Sequence, residues 1–334
     1  MSAPMLLCVA AAVAGVVSAG ILLLLLRTGW AWDIAVDIPN HRSLHVRPIP
    51  RVGGWGVVPG SILAIALCAP SFGWIALGAL VLAIVSQIDD RRGLPARIRF
   101  AAHLLVVAAA IAWSAVDIAW WLALLAVIAL VWVVNLYNFM DGSDGLAGGM
   151  AVSGFGFYAV AALAVQPSLA VAAAAIAGAG IGFLIFNHHP AKIFLGDAGS
   201  IPLGFLAGAL GFWGWQHGVW PIWFPALAFA PFVADATVTL CRRLARGEKV
   251  WLAHREHYYQ RLVQITGSHI RVAVAYYLLM LGSGGVALLA LHVPPAVQWV
   301  LFGAWYGVLA LVGWQIDRSW RQFTLTQDNH NDAN

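Results

Sequence analysis

Apolar runs of roughly 16 to 23 residues recur along the whole chain, and each is about long enough to cross the hydrocarbon of a bilayer as a helix. A chain with this pattern must satisfy its backbone within helices, so the expected fold is an all-α, polytopic membrane protein. Eleven segments are expected, at about 4–26, 53–70, 72–88, 101–116, 118–134, 149–165, 168–186, 201–216, 220–240, 271–292 and 295–316. The break at Pro70 to Gly73 is the weakest boundary, which leaves counts of ten or twelve open. Composition agrees: 62% of the 334 residues are apolar and 10% charged, against roughly 45–50% and 25% in soluble domains. This excludes a disordered chain, a secreted disulfide scaffold and an ordinary cytosolic enzyme. Cys8, Cys68 and Cys241 lie far apart and imply neither a disulfide framework nor a zinc cluster. The first basic residue, Arg27, follows the first apolar run instead of preceding it, so that run reads as a retained span and not a cleaved signal.

Charge gives a second, independent test of this segmentation. All 18 lysines and arginines fall in the connections after segments one, three, seven and nine or in the C-terminal tail. Basic residues collect on the cytoplasmic side, so the N-terminus is expected outside and the C-terminus in the cytoplasm. The long polar connections then all face the cytoplasm, and any chemistry is expected there. A transporter would instead place ionisable residues near the midplane; His103 is the main one well inside a segment, while Asp235 lies toward the cytoplasmic end of the ninth.

Five polar constellations occupy these connections. DIPNHRSLHVRPIPRVGG, from Asp37 to Gly54, offers Arg42, Arg47 and Arg51 as a phosphate clamp, and Gly53-Gly54 permits close approach to a ligand or a neighbouring helix; the alternative is a basic loop attracted to anionic lipid. Asp89-Asp90 is followed by Arg91, Arg92, Arg97 and Arg99, as a metal-binding or basic acid pair or as a charge-neutralised helix end. NLYNFMDGSDGLAGGM spaces Asn135, Asn138, Asp141 and Asp144 three residues apart with no basic neighbour, which suits a hard cation and a nucleobase or sugar, or else a capped turn. FNHHPAKIFLGDAGS brings Asn187, His188, His189, Lys192 and Asp197 to the start of a helix, where free N–H groups favour an anion and Asp197 a magnesium ion. HREHYYQRL is expected on a short amphipathic surface helix whose His254, Arg255, His257 and Arg261 bind a diphosphate or sugar, or lie on the membrane.

In this order on consecutive connections, the five motifs resemble the polyprenyl-phosphate N-acetylhexosamine-1-phosphate transferases, glycosyltransferase family 4, over roughly residues 1–320. The resemblance implies one polytopic transferase domain over 1–320 and a polar tail over 321–334, with the chain after Asp317 expected to be disordered. It implies transfer of a sugar 1-phosphate from a UDP-sugar to undecaprenyl phosphate at the bacterial inner membrane, with magnesium or, alternatively, manganese. Implied catalytic residues are Asp89, Asp90, His254 and His257. Implied substrate contacts are Arg51, Arg97, Arg99, Asn135, Asn138, Asp141, Asp144, Asn187, Lys192 and Arg255, and implied metal ligands are Asp197, Asp90 and Asp141.

The last loop reads His254-Arg255-Glu256-His257 where the peptidoglycan branch has three consecutive histidines, which points to a donor of the UDP-GlcNAc, UDP-QuiNAc or UDP-FucNAc type and to O-antigen-like glycans. Arginines replace the lysine that family members often carry after the acid pair. Partners are therefore the lipid acceptor, the UDP-N-acetylhexosamine and the bilayer; Gly178, Gly180 and Gly182 allow close helix packing within one protomer or between two, which leaves a homodimer open, and no nucleic acid is expected. The rival readings are a transporter of a lipid-linked or phosphorylated solute, a phosphotransferase using a CDP-alcohol, whose signature is missing around Asp141 to Gly149, and a noncatalytic scaffold.

Overall fold

The computed structural model describes residues 1–39, 44–114, 118–249 and 254–331, with side chains up to 327. Arg42 and Asp117 lie outside the described residues. The chain is an all-α polytopic membrane protein. Its helices are α1 (Ala3–Thr28), α2 (Trp30–Ile34), α3 (Gly54–Cys68), α4 (Gly73–Arg92), α5 (Ala96–Ser114), α6 (Trp120–Phe139), α7 (Leu146–Ala162), α8 (Pro167–Asn187), α9 (Asp197–Gln216), α10 (Trp223–Ala228), α11 (Ala230–Ala245), α12 (Tyr258–Thr266), α13 (His269–Ala290) and α14 (Pro295–Asn331). A two-stranded antiparallel ribbon, β1 (Val36–Asp37) and β2 (Ile49–Pro50), lies between α2 and α3. Among the described residues, seven stretches are long and apolar enough to cross a membrane: α1, Pro70–Arg92, α5, α6, α8, α13 and Pro295–Gln327. Helices α3 and α7 are apolar but shorter. The outer surface carries exposed Leu77, Leu105, Leu124, Leu278 and Leu311, as expected where the solvent is lipid.

Helix α8 lies at the centre, packed on α1, α3 and α7. Its small residues make that possible. A Cβ on Gly178 would collide with the carbonyl of Ala11, and one on Gly182 with the carbonyl of Gly15, so α1 and α8 touch backbone to backbone. Ala10, Ala14, Ser18 and Leu22 of α1 are buried at a spacing of four, one stripe of the helix facing α8 and α3. Gly178 and Gly182 therefore serve packing within the protomer.

Four sequence expectations are refined or corrected. The doubtful boundary at Pro70 is a true break, with a 3-10 turn over Pro70–Phe72 between α3 and α4. The ninth apolar segment is two helices: Pro231 opens α11 and cannot donate a backbone hydrogen bond to continue α10. The last-loop helix begins at Tyr258, not His254, and its first residues are buried instead of lying on a surface. The tail expected to be disordered after Asp317 continues α14 to Asn331. Asp317 accepts from Arg242, Arg261 and Tyr258, and Trp320 lies under the Arg261 guanidinium at 5.6 Å, which anchors the added turns.

Gly178→Leu is expected to lower the thermal midpoint of the detergent-solubilised protein strongly, since overpacking costs about 1–3 kcal/mol or more. Gly20→Leu, whose Cβ meets nothing within 4 Å, should leave it unchanged. Equal midpoints for the two variants would contradict the α1–α8 contact.

Candidate active site

The site is built where two distant connections run side by side. Phe194 N–H donates to Pro50 O at 2.8 Å, Gly53 N–H to Phe194 O at 2.8 Å and Gly54 N–H to Leu195 O at 2.9 Å. The approach demands glycine: a Cβ on Gly53 would sit 2.7 Å from Leu195 Cα, and one on Gly54 2.5 Å from Gly199 N. Of the two options left open for Gly53-Gly54, the partner is another part of this chain. Gly196 then adopts φ 71°, a conformation open to glycine, and turns the chain into α9, which starts at Asp197. This pairing sets Arg51 beside Asp197, and Arg51 Nη2 lies 3.5 Å from Asp90 Oδ1.

Two connected cavities meet here. The first, of 340 Å³, is lined by the loops: Asp37, His45, Arg51, Ser143, Asn187, Phe194 and others. The second, of 580 Å³, extends between α5, α6 and α9 along Ala96, Arg99, Phe100, His103, Asn135, Phe139 and Ile201, with His257 and Tyr259 opposite. Asn138, Asp141, Gly142, Asp197, His254 and Gln260 line both, so they form the shared wall. One lobe is polar and loop-bound; the other reaches apolar side chains of membrane-facing helices.

Charge within the cleft is unbalanced. Burial first, then the nearby Asp197 carboxylate, pushes the Asp141 pKa up to about 7, against the opposing pull of Gly196 N–H and Arg51. His254 is pushed down to about 4 by burial, then by His257 and Arg243, so its imidazole is neutral at pH 7. Asp89 and Asp90, expected to act directly, line neither cavity. Asp89 is occupied by Arg99 Nη1 at 2.9 Å and Leu94 N–H at 2.7 Å. Asp90 faces Arg51, and its Oδ2 is buried without a hydrogen-bond partner. The acid pair thus stands one layer back, holding the two arginines that do line the cleft.

Other expected residues divide by partner. Asn138 Oδ1 accepts from Ser200 Oγ at 2.6 Å, and Asn135 Nδ2 donates to Val131 O. Asn187 lines the first lobe, but its amide accepts from Gly145 N–H and donates to Ile193 O, tying the two motif loops together. Asp144 lies outside both lobes, held by His189 Nδ1 at 2.6 Å and Ala191 N–H at 3.2 Å. Arg97, Lys192 and Arg255 are exposed and line neither lobe. The arginines of the last loop are largely neutralised internally: Arg246 bonds Glu248 and Glu256, and Arg242 and Arg261 bond Asp317. Sequence reasoning gave no role to Asp37, His45, His103, Gln260 or Tyr259, all of which line the cleft. Asp37 and His45 lie in a quoted motif, which was a usable signal; His103 was visible only as an ionisable residue in an apolar run.

Among the described residues no three His, Cys, Asp or Glu side chains converge as a ready-made metal cage. Asp141 and Asp197 nevertheless share the cleft wall, with the orphaned Asp90 oxygen behind Arg51. That donor set fits magnesium, which is typically bound by one or two carboxylates and completes its shell with phosphates and water.

Residues 72–214 match the model of glycosyl transferase family 4. The chain is 31% identical over 304 residues to the decaprenyl-phosphate N-acetylglucosaminephosphotransferase of Mycobacterium tuberculosis, covering 73% of this chain and 72% of that protein. It is 29% identical over 265 residues to the probable undecaprenyl-phosphate N-acetylglucosaminyl 1-phosphate transferase of Bacillus subtilis, covering 73% and 74%. Identity to the phospho-N-acetylmuramoyl-pentapeptide-transferase of Geobacillus kaustophilus is 48% but spans 93 residues, 28% of each chain.

A carboxyl whose folded pKa is raised stabilises the fold below its unfolded value of 3.8, and that contribution is lost as pH rises through about 7. Without divalent cations, Asp141→Asn is therefore expected to raise the thermal midpoint at pH 8, with the gap shrinking toward pH 5. A gap that is absent at pH 8 or widest at pH 5 would contradict this electrostatic picture.

Proposed function

Because the chain belongs to the polyprenyl-phosphate N-acetylhexosamine-1-phosphate transferases of glycosyl transferase family 4, we propose that it transfers an N-acetylated sugar 1-phosphate from a UDP-sugar to undecaprenyl phosphate. The products are undecaprenyl-diphosphate-sugar and UMP, and the step initiates a cell-surface glycan of the O-antigen type. One observation carries this reading. The loop-bound lobe and the lobe reaching α5, α6 and α9 share the wall of Asn138, Asp141 and Asp197, so a soluble nucleotide-sugar and a lipid phosphate can meet there. The N-acetylglucosamine specificity in the names of the M. tuberculosis and B. subtilis proteins makes UDP-GlcNAc the first donor to test, and His254-Arg255-Glu256-His257 argues against the pentapeptide donor.

An acceptor phosphate monoester, with a second pKa of about 6, is largely dianionic at neutral pH. Its oxygen attacks the β-phosphorus of the donor, the bond from that phosphorus to the bridging oxygen breaks, and UMP leaves with the oxygen. Charge neutralisation and alignment matter more in this step than a strong base. Arg51 and Arg99 supply positive charge on opposite lobes, each oriented by one carboxylate of the acid pair. We favour direct attack: Asp89 is fully engaged by Arg99 and Leu94 N–H, which leaves it poorly placed as a nucleophile. Asn138, whose side chain is fixed by Ser200, and neutral His254 offer hydrogen bonds to the donor. Magnesium, held by Asp197 and Asp141, would screen the donor diphosphate when bound.

The same reading places eleven spans in the bacterial inner membrane, N-terminus outside and C-terminus in the cytoplasm. Each expected apolar segment coincides with a helix or, for the ninth, with the α10–α11 pair. The basic residues fall in the same sequence connections that supply the cleft loops or in the C-terminal tail.

Purified protein given undecaprenyl phosphate, magnesium and UDP-GlcNAc, UDP-QuiNAc or UDP-FucNAc is expected to release UMP with one of them. EDTA should abolish release, and Asp197→Asn should lower it by at least about 100-fold. Release indifferent to EDTA would remove the metal from the account, and no release with any donor would overturn the reaction.

A further inference from the structure

The second lobe is closed on one side by a histidine that does not stand alone. His257 precedes α12, is 2% exposed, and lines the cleft. Its ring lies near-parallel to Phe139 at 6.2 Å and to Tyr259 at 5.9 Å, with His254 at 4.8 Å. Its Nδ1 lies 3.3 Å from Oδ1 of Asp235, a carboxylate 3% exposed in the middle of α11. A carboxylate buried this deeply is costly unless donors surround it. Asp235 has four: Tyr258 N–H at 2.8 Å, Tyr259 N–H at 3.0 Å, Tyr276 O–H at 2.6 Å and Thr239 O–H at 3.3 Å.

We propose that Asp235 is a positioning residue for His257. It caps the start of α12 from another helix and, with the same carboxylate, faces the imidazole that lines the cleft. Tyr258 and Tyr259 carry two of the N–H groups that every helix start leaves unpaired, and a negative charge there also opposes the positive end of the helix. Nδ1 is buried and makes no hydrogen bond elsewhere, so the carboxylate 3.3 Å away is the group that favours a proton on that nitrogen and leaves Nε2 for a substrate, the logic by which a buried acid sets a histidine's tautomer. Tyr276 of α13 fixes the second carboxylate oxygen, so three helices converge on one ring. The role rests on the transferase reading, in which the donor and acceptor phosphates occupy the adjoining lobes. It gives purpose to an acid that the sequence shows only as an isolated aspartate near the end of an apolar segment.

The test is a double-mutant cycle on UMP release, with Asp235→Asn, His257→Gln and the pair, and a thermal midpoint for each. Asp235→Asn is expected to lower kcat about 10- to 100-fold, as loss of an orienting partner does, while the donor KM stays within about threefold. In the His257→Gln background the same substitution should cost nothing further in kcat. A merely structural cap would cost the same factor in both backgrounds, and that result would overturn the proposal, as would an unchanged kcat in Asp235→Asn. Should Asp235→Asn fail to fold, Tyr276→Phe keeps the carboxylate and both backbone bonds. It should lower kcat at least about twofold, an effect that vanishes beside His257→Gln, and its persistence there would equally overturn the role. A parent protein that releases no UMP overturns the reaction and this role with it, whereas an active parent with independent losses overturns the role alone.

Discussion

Arg51 is the charge on which the cleft is organised. It sits in a backbone strap that pairs with residues 194–195, points at Asp90, and lies within electrostatic reach of Asp141 and Asp197. Without it, several carboxylates from four separate connections would face one another across a half-buried space, an arrangement that repulsion would open. Gly53, Gly54 and Gly196 make the strap possible because each removes a Cβ or a backbone restriction at the point of contact. Packing of α1 on α8 deeper in the bundle supports it, since α3 leaves the strap and packs against both.

The remaining acidic excess is what a substrate-loaded site of this family would use. Asp141, its pKa pushed up to about 7 by burial and by Asp197, is a carboxyl whose proton a bound cation would replace. The lipid-side lobe adds little charge beyond Arg99, which Asp89 restrains. The loop-bound lobe and the lobe reaching α5, α6 and α9 share one wall, the same six residues belonging to both. Rigid parts surround this boundary. Asn187 and the Asp144–His189 pair lock the motif loops to each other, and Asp317 fastens the last loop to α14.

The helices were legible because hydrocarbon length and the one-sided distribution of basic residues constrain a sequence heavily, and GDAGS marked the start of α9 through its glycine and acid. Asp141, Asp197, Asn138 and Arg51 were also visible, as polar groups with no local partner. Partnership over long sequence distances was not. Nothing near Asp144 announces His189, nothing near Asn187 announces Gly145, and Asp89 could not be seen to spend both its oxygens on Arg99 and Leu94. The polar tail looked unsupported because its anchors, Arg242 and Arg261, lie more than fifty residues away. Motif membership located the right connections but did not separate residues that face the cleft from those that hold it together.

Anomalous scattering from a crystal of the protein with manganese and UDP tests the central claim most directly. The account predicts a manganese peak against Asp197 and Asp141 with the UDP phosphates beside Arg51. A peak away from that wall, or UDP bound outside the loop-bound lobe, would contradict it.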